Sequence, residues 1–137
     1  MILSEDEWRR RLSPAQYHVL REAATEPAFS GCYADTRVAG LYRCVACRID
    51  LFDAADKFDP GIGWPCFARP IGPDRVTEHG DAGQYPRRVE VRCARCDGHL
   101  GHVFADGPPP TGRRYRLNSL ALDFRGCAVA STAAALG

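Results

Sequence analysis

Lysine is nearly absent from this chain: of its 18 basic residues, only Lys57 is lysine. Composition bias accounts for such a skew, and the arginines that remain suit oxyanion recognition. Net charge is also missing. The 18 basic residues nearly cancel 17 acidic ones, leaving +1 at pH 7. No overall field therefore draws the chain to nucleic acid, a membrane surface or an acidic partner. Long apolar runs are lacking too, and no stretch approaches the roughly 20 residues of a membrane span. The N-terminus places acids before its bases and has no apolar segment of the kind a secretory signal requires. The expectation is a cytoplasmic monomer with no nucleic-acid or membrane partner.

What is present suits one small domain. The 137 residues are 45% hydrophobic and 26% charged, which excludes a disordered chain and allows a modest core. Seven cysteines in a cytoplasmic chain read as metal ligands or redox groups before they read as a disulfide framework.

Ser4 and Glu7 have capping-box spacing and open a short helix through Trp8 to Leu12. Ser13-Pro14 starts a second helix, with Gln16 at its third position and Tyr17, Leu20 and Ala24 as its apolar stripe. Residues 25–35 lack a period and read as an extended arm. From Gly40 onward, short runs such as LYRC, VEVRC, HVF, YRLNS and LALDF suggest strands separated by Gly, Pro and Asp. Pro70 to Pro86 is polar and reads as a surface excursion. The expected architecture is mainly β (α+β). Helices and arm occupy 1–35, a β body spans 36–126, and a frayed tail of small residues spans 127–137.

Cys44-Val-Ala-Cys47 and Cys93-Ala-Arg-Cys96 are two C-x-x-C pairs. Four thiolates match a closed tetrahedral zinc site, structural because no position is left open. Arg43, Arg48, Arg92 and Arg95 flank these ligands and are expected to balance their charge. Cys32, Cys66 and Cys127 have no partner by spacing.

A second constellation follows. GIGWPCF (61–67), HLGHVFADGPPPTG (99–112) and RRYRLNSLALDF (113–124) carry Trp64, His99, His102, Asp106, Arg114 and Asn118. Two histidines and an aspartate are a candidate acid/base cluster, while Arg114 and Asn118 offer donors to an oxyanion or carbonyl. Satisfied core histidines and a buried tryptophan are the plainer alternative.

Gly-Trp-Pro, H-L-G-H-V-F, D-G-P-x-P-T-G and R-Y-x-x-N-S, in this order and with both cysteine pairs interleaved, resemble the methionine sulfoxide reductase B family. That resemblance covers about nine tenths of the chain. It implies two small antiparallel sheets with short N-terminal helices, zinc away from the active site, and reduction of peptide- or protein-bound methionine-R-sulfoxide in protein repair under oxidative stress. By the same resemblance, the Trp64 ring holds the substrate methyl group. His99 and His102, supported by Asp106, serve the departing oxygen. Arg114 lowers the nucleophile's pKa, and Asn118 positions substrate. A thioredoxin-like dithiol restores the enzyme.

The sequence departs from the family at the nucleophile. The family places Cys or selenocysteine where this chain has Arg116, and its usual resolving position is Ile62. An arginine cannot attack. If 62–66 is extended, Cys66 shares a face with Trp64, and Arg114 and Arg116 are placed to depress its pKa. Cys66 is thus the candidate relocated nucleophile, with Cys32 and Cys127 as candidate resolving thiols and Arg116 as a substrate contact. The competing expectation is a catalytically inactive module that binds oxidised methionine or an anionic ligand. Met1 is the only methionine, so the chain has almost no such lesion of its own.

Overall fold

The computed structural model describes residues 3–34, 38–81 and 88–126. Both helix starts follow their capping chemistry. Helix α1 (Glu5–Arg11) begins at Ser4, whose hydroxyl accepts from the Glu7 N–H at 3.2 Å. Helix α2 (Pro14–Glu22) has a full capping box between Ser13 and Gln16, with Pro14 at its first position. Ala23, in the left-handed region, stops it. Trp8, Val19 and Leu20 are buried in the same core as the strands.

Among the described residues nine strands follow: β1 (Gly40–Cys44), β2 (Asp50–Asp53), β3 (Lys57–Phe58), β4 (Cys66–Phe67), β5 (Val76–Asp81), β6 (Arg88–Cys93), β7 (His99–Phe104), β8 (Arg114–Leu117) and β9 (Leu122–Gly126). They form a three-stranded sheet, β2-β1-β9, and a six-stranded sheet, β3-β4-β8-β7-β6-β5, with every pairing antiparallel. Aromatic side chains join the two sheets. Phe67 of β4 stacks on Phe52 of β2 at 4.7 Å and meets Tyr42 of β1 edge-on at 5.1 Å. All three are fully buried, and the two phenylalanines each contribute about 1.5–3 kcal/mol from removal of apolar surface.

The stretch read as a surface excursion, Pro70 to Pro86, is largely exposed over its described residues but carries a strand the sequence reading did not include. Val76–Asp81 is strand β5, paired with β6 over six residues at the edge of the larger sheet. From Val76 to Gly80 only Val76 is buried. An edge strand wetted on most sides carries little of the apolar alternation by which strands are read. The two-residue strands β3 and β4 are too short to show a period. The predicted tail, 127–137, lies outside the described residues.

Candidate functional site

Two matching knuckles build the metal cluster. Each C-x-x-C turn links the strands of a hairpin, β1 to β2 and β6 to β7. In each, the residue after the second cysteine adopts positive φ: Arg48 at 70° and Asp97 at 67°. The N–H of that residue returns to the carbonyl of the first cysteine, at 2.9 Å in one knuckle and 2.8 Å in the other. The Sγ atoms of Cys44, Cys47, Cys93 and Cys96 all lie within 4.8 Å of one another. Cross-pair separations are 3.6 Å for Cys44–Cys96 and 3.5 Å for Cys47–Cys93. A zinc–sulfur bond of about 2.3 Å sets tetrahedral edges near 3.8 Å, so the donor set fits zinc. The flanking arginines are less available than expected. Arg43 and Arg48 pair with Asp123, and Arg92 pairs with Glu90 and Asp97.

Part of the second constellation, His99, His102 and Arg114, lies on one face of the six-stranded sheet. Register places Cys66 of β4 beside Arg116 of β8, Arg116 beside His102 of β7, and His102 beside Glu90 of β6. Strand alternation adds Arg114 and Phe104 to this face. The Arg114 and Arg116 guanidinium carbons lie 4.4 and 5.1 Å from the Phe104 ring centroid.

His99 joins this face through a register break. In an unbroken strand, residues three apart point to opposite sides. Here Val91 pairs with Gly101 while Arg92 pairs with His99, leaving Leu100 as the extra residue of a bulge. The His99 and His102 rings consequently meet edge-on at 5.4 Å. Gly101 is the sequence signal for this break, since a Cβ there would collide with the Arg116 carbonyl.

The carboxylate that supports the histidines is Glu90, not Asp106. Nδ1 of His99 lies 2.6 Å from Glu90 Oε2. His99 is buried, and its Nε2 has no partner among the described residues. Burial lowers the His99 pKa against the pull of Glu90, and pushes His102 down to about 4. Burial works to raise the Glu90 pKa but is outweighed by the hydrogen bonds from Arg92 and His99, and the net shift is downward. Asp106 instead accepts two bonds from Arg114, at 2.9 and 3.1 Å. That hydrogen-bonding holds the Asp106 carboxyl below its ordinary pKa.

Trp64 is set by the arm. Its indole N–H donates to the Glu26 carbonyl at 3.0 Å. The same residue's N–H donates to Asn118 Oδ1, and its carboxylate accepts from the Leu120 N–H. Asn118 Nδ2 donates to the Leu100 carbonyl. Asn118 is thus buried with both ends of its carboxamide on backbone, which ties the arm to the bulge instead of facing a ligand. The segment before Trp64 is not the extended run expected from the sequence. Gly61 and Gly63 have φ of 81° and 90°, and a Cβ on Gly63 would lie 2.5 Å from the Phe29 nitrogen. Cys66 reaches the site face through its pairing with β8, not through alternation from residue 62.

The electrostatics of Cys66 differ from expectation. The thiol is fully buried, 3.6 Å from the Trp64 carbonyl. Burial pushes its pKa up to about 11, although Arg114, Arg116 and Lys57 pull the other way. Arg116 is half-buried, and burial lowers its own pKa. Its guanidinium carbon lies 4.6 Å from the Trp64 ring centroid. Cys32 lies apart, on the exposed arm, lining a cleft with Tyr33, Ser119 and Leu120. Cys127 falls outside the described residues. Glu90, Glu26 and Phe104 were not identified from sequence, because each joins the site by register or through a backbone contact.

Comparison with known proteins agrees with this architecture. Residues 12–126 match the SelR domain family. A protein of Agrobacterium fabrum named peptide methionine sulfoxide reductase MsrB is 52% identical over 121 residues, covering 88% of this chain and 90% of that protein. The protein of that name from Bradyrhizobium diazoefficiens is 54% identical over 122 residues, covering 89% and 88%. The one from Pseudomonas fluorescens is 53% identical over 118 residues, covering 86% and 90%. With its paired cysteine knuckles and its Trp64, His99 and His102 face, the chain belongs to the SelR domain family, to which it is joined along most of its length.

Proposed function

We propose that this chain is a peptide-methionine (R)-S-oxide reductase whose attacking thiol is Cys66. The observation that carries the activity is likeness to proteins named MsrB at 52–54% identity over most of the chain. It favours a reductase over an inactive binding module. The assignment of Cys66 rests on register: among the described residues it is the cysteine beside Arg116 on the face of His102 and Phe104. The other buried thiols belong to the metal cluster. Zinc held by Cys44, Cys47, Cys93 and Cys96 supplies a structural tie between the two hairpins.

The chain's own groups have these roles. The Trp64 ring receives the substrate methyl group once the Arg116 side chain lifts from it. Cys66 attacks the sulfoxide sulfur, with Arg114 beside it favouring the thiolate. An S–S bond forms, the oxygen takes up a proton and passes to the Cys66 sulfur, the S–S and substrate S–O bonds break, and methionine departs, leaving Cys66 as a sulfenic acid. His102 and His99 are assigned to hydrogen-bond that oxygen, and Glu90 orients His99 through its Nδ1. Asp106 fixes Arg114, while Glu26 and Asn118 fix Trp64 and the arm. An external dithiol of the thioredoxin class then attacks the sulfenic sulfur. Water is released, the reductant becomes a disulfide, and the Cys66 thiol returns. Cys32 and Cys127 are the alternative resolving thiols. A cytoplasmic monomer acting on oxidised peptides or proteins completes the reading. Stereospecific loss of the R epimer from a racemic methionine sulfoxide peptide, followed by chromatography, tests it. Consumption of the S epimer alone would contradict it.

A further inference from the structure

Most arginines around the site face are matched to carboxylates; among the described residues the exposed Arg88 and the half-buried Arg116 are not. Arg114 has Asp106, Arg113 has Glu78, and Arg92 has Glu90 and Asp97. Arg116 has aromatic neighbours instead, Trp64 at 4.6 Å and Phe104 at 5.1 Å. Rings stacked on a guanidinium cover its apolar faces and leave its edge N–H groups to find acceptors. Glu90, the nearest carboxylate by register, is already held by His99 and Arg92. Arg88 and Arg114 add positive field at Arg116. Burial favours the neutral form of both histidines. The face thus holds a partly desolvated cation without a counter-charge.

A sulfoxide oxygen is a neutral acceptor and does not balance that cation, whereas a carboxylate does so through two parallel hydrogen bonds. We propose that Arg116 recognises a carboxylate on the substrate, so that the site prefers methionine sulfoxides bearing a negative charge close to the sulfoxide side chain. This rests on the reductase reading of the same site. Two sources offer that chemistry: the α-carboxylate of a free or C-terminal methionine sulfoxide, and an acidic side chain next to an internal one.

Binding, not turnover, is the readout, measured by calorimetry on the Cys66→Ser protein so that ligand is not consumed. N-acetyl-L-methionine-(R)-sulfoxide carries the carboxylate, and its N-methylamide does not. The carboxylate form is expected to bind on the order of 10-fold tighter, the scale of a charge-assisted bond. That preference should disappear when Arg116→Gln is added and survive in part with Arg116→Lys. Internal methionine sulfoxide peptides with Glu or Gln as the next residue identify the source. A Glu preference assigns an acidic side chain. Preference confined to the acetylated amino acid assigns the α-carboxylate. Equal affinity of carboxylate and amide forms, or a preference that persists in Arg116→Gln, would overturn the proposal while leaving the reductase reading intact. Binding of none of these sulfoxides would contradict the reductase reading itself. Thermal melts of each variant exclude loss of fold as the cause.

Discussion

The guanidinium of Arg116 lies over the indole of Trp64, its central carbon 4.6 Å from the ring centroid. The same side chain stands beside Cys66 across the β4–β8 pairing. One residue therefore lies over the ring assigned to the substrate methyl group and beside the residue assigned to attack. Arg116, at the position where the resemblance expects the nucleophile, and Cys66, the candidate for its replacement, are thus register partners.

Replacing Arg116 tests this arrangement directly. Position 116 is half-buried, whereas Cys66 is fully buried. A thiol at 116 stays close to Arg114 and escapes much of the desolvation that Cys66 suffers. Arg116→Cys is expected to raise steady-state reduction of an R-methionine sulfoxide peptide by roughly tenfold or more, because each pKa unit lost multiplies the thiolate fraction. Unchanged turnover in a folded variant would count against the placement of substrate over Trp64.

The resting Cys66 thiol should be slow to alkylate at neutral pH. Its pKa is pushed up to about 11 by burial, so iodoacetamide labelling should climb steadily between pH 8 and 11. Mass spectrometry of the peptide containing Cys66 reads this. The same shift carries a stability consequence. The folded thiol ionises later than an unfolded one, so stability present below pH 9 is lost as pH rises toward 11. Cys66→Ser should flatten that alkaline decline. Rapid labelling at pH 6 would contradict the upward shift that burial imposes on this thiol, and would speak for a pre-activated nucleophile.

Glu90 is expected to matter for the fold of the site. Glu90→Ala leaves the buried Nδ1–H of His99 without its acceptor at 2.6 Å. The cost should be about 1–3 kcal/mol in denaturant unfolding. Glu90→Gln keeps an acceptor and should cost less, while removing the charge that favours a protonated His99. The His99 pKa, followed by NMR, should fall further in Glu90→Gln.

One equivalent of zinc should accompany the purified chain, measured by elemental analysis. Cys96→Ser breaks the four-sulfur set and should lose the metal, with a drop in melting temperature that added zinc does not reverse. Full metal content in Cys96→Ser would exclude the cluster as the binding site.

Sequence legibility followed the range of the interactions involved. Capping at Ser4 and Ser13 depends on residues three apart and was readable, as were the cysteine knuckles. The pairing of His99 with Glu90 depends on a strand register interrupted at Leu100, which one chain read alone does not give. Asp106 was assigned to the histidines because it follows them closely, yet the turn after β7 carries it to Arg114. The extended reading of 62–66 failed because Gly61 and Gly63 bend the backbone. Strand β5 escaped notice because a polar edge strand lacks the alternation of a buried one.

The most direct measurement is steady-state reduction of an R-methionine sulfoxide peptide with excess dithiol, wild type beside Cys66→Ser. The account predicts turnover in the wild type that is abolished in the variant, while both proteins bind zinc and melt cooperatively. Undiminished turnover in Cys66→Ser would place the nucleophile elsewhere, and no turnover in either protein would contradict the reductase assignment.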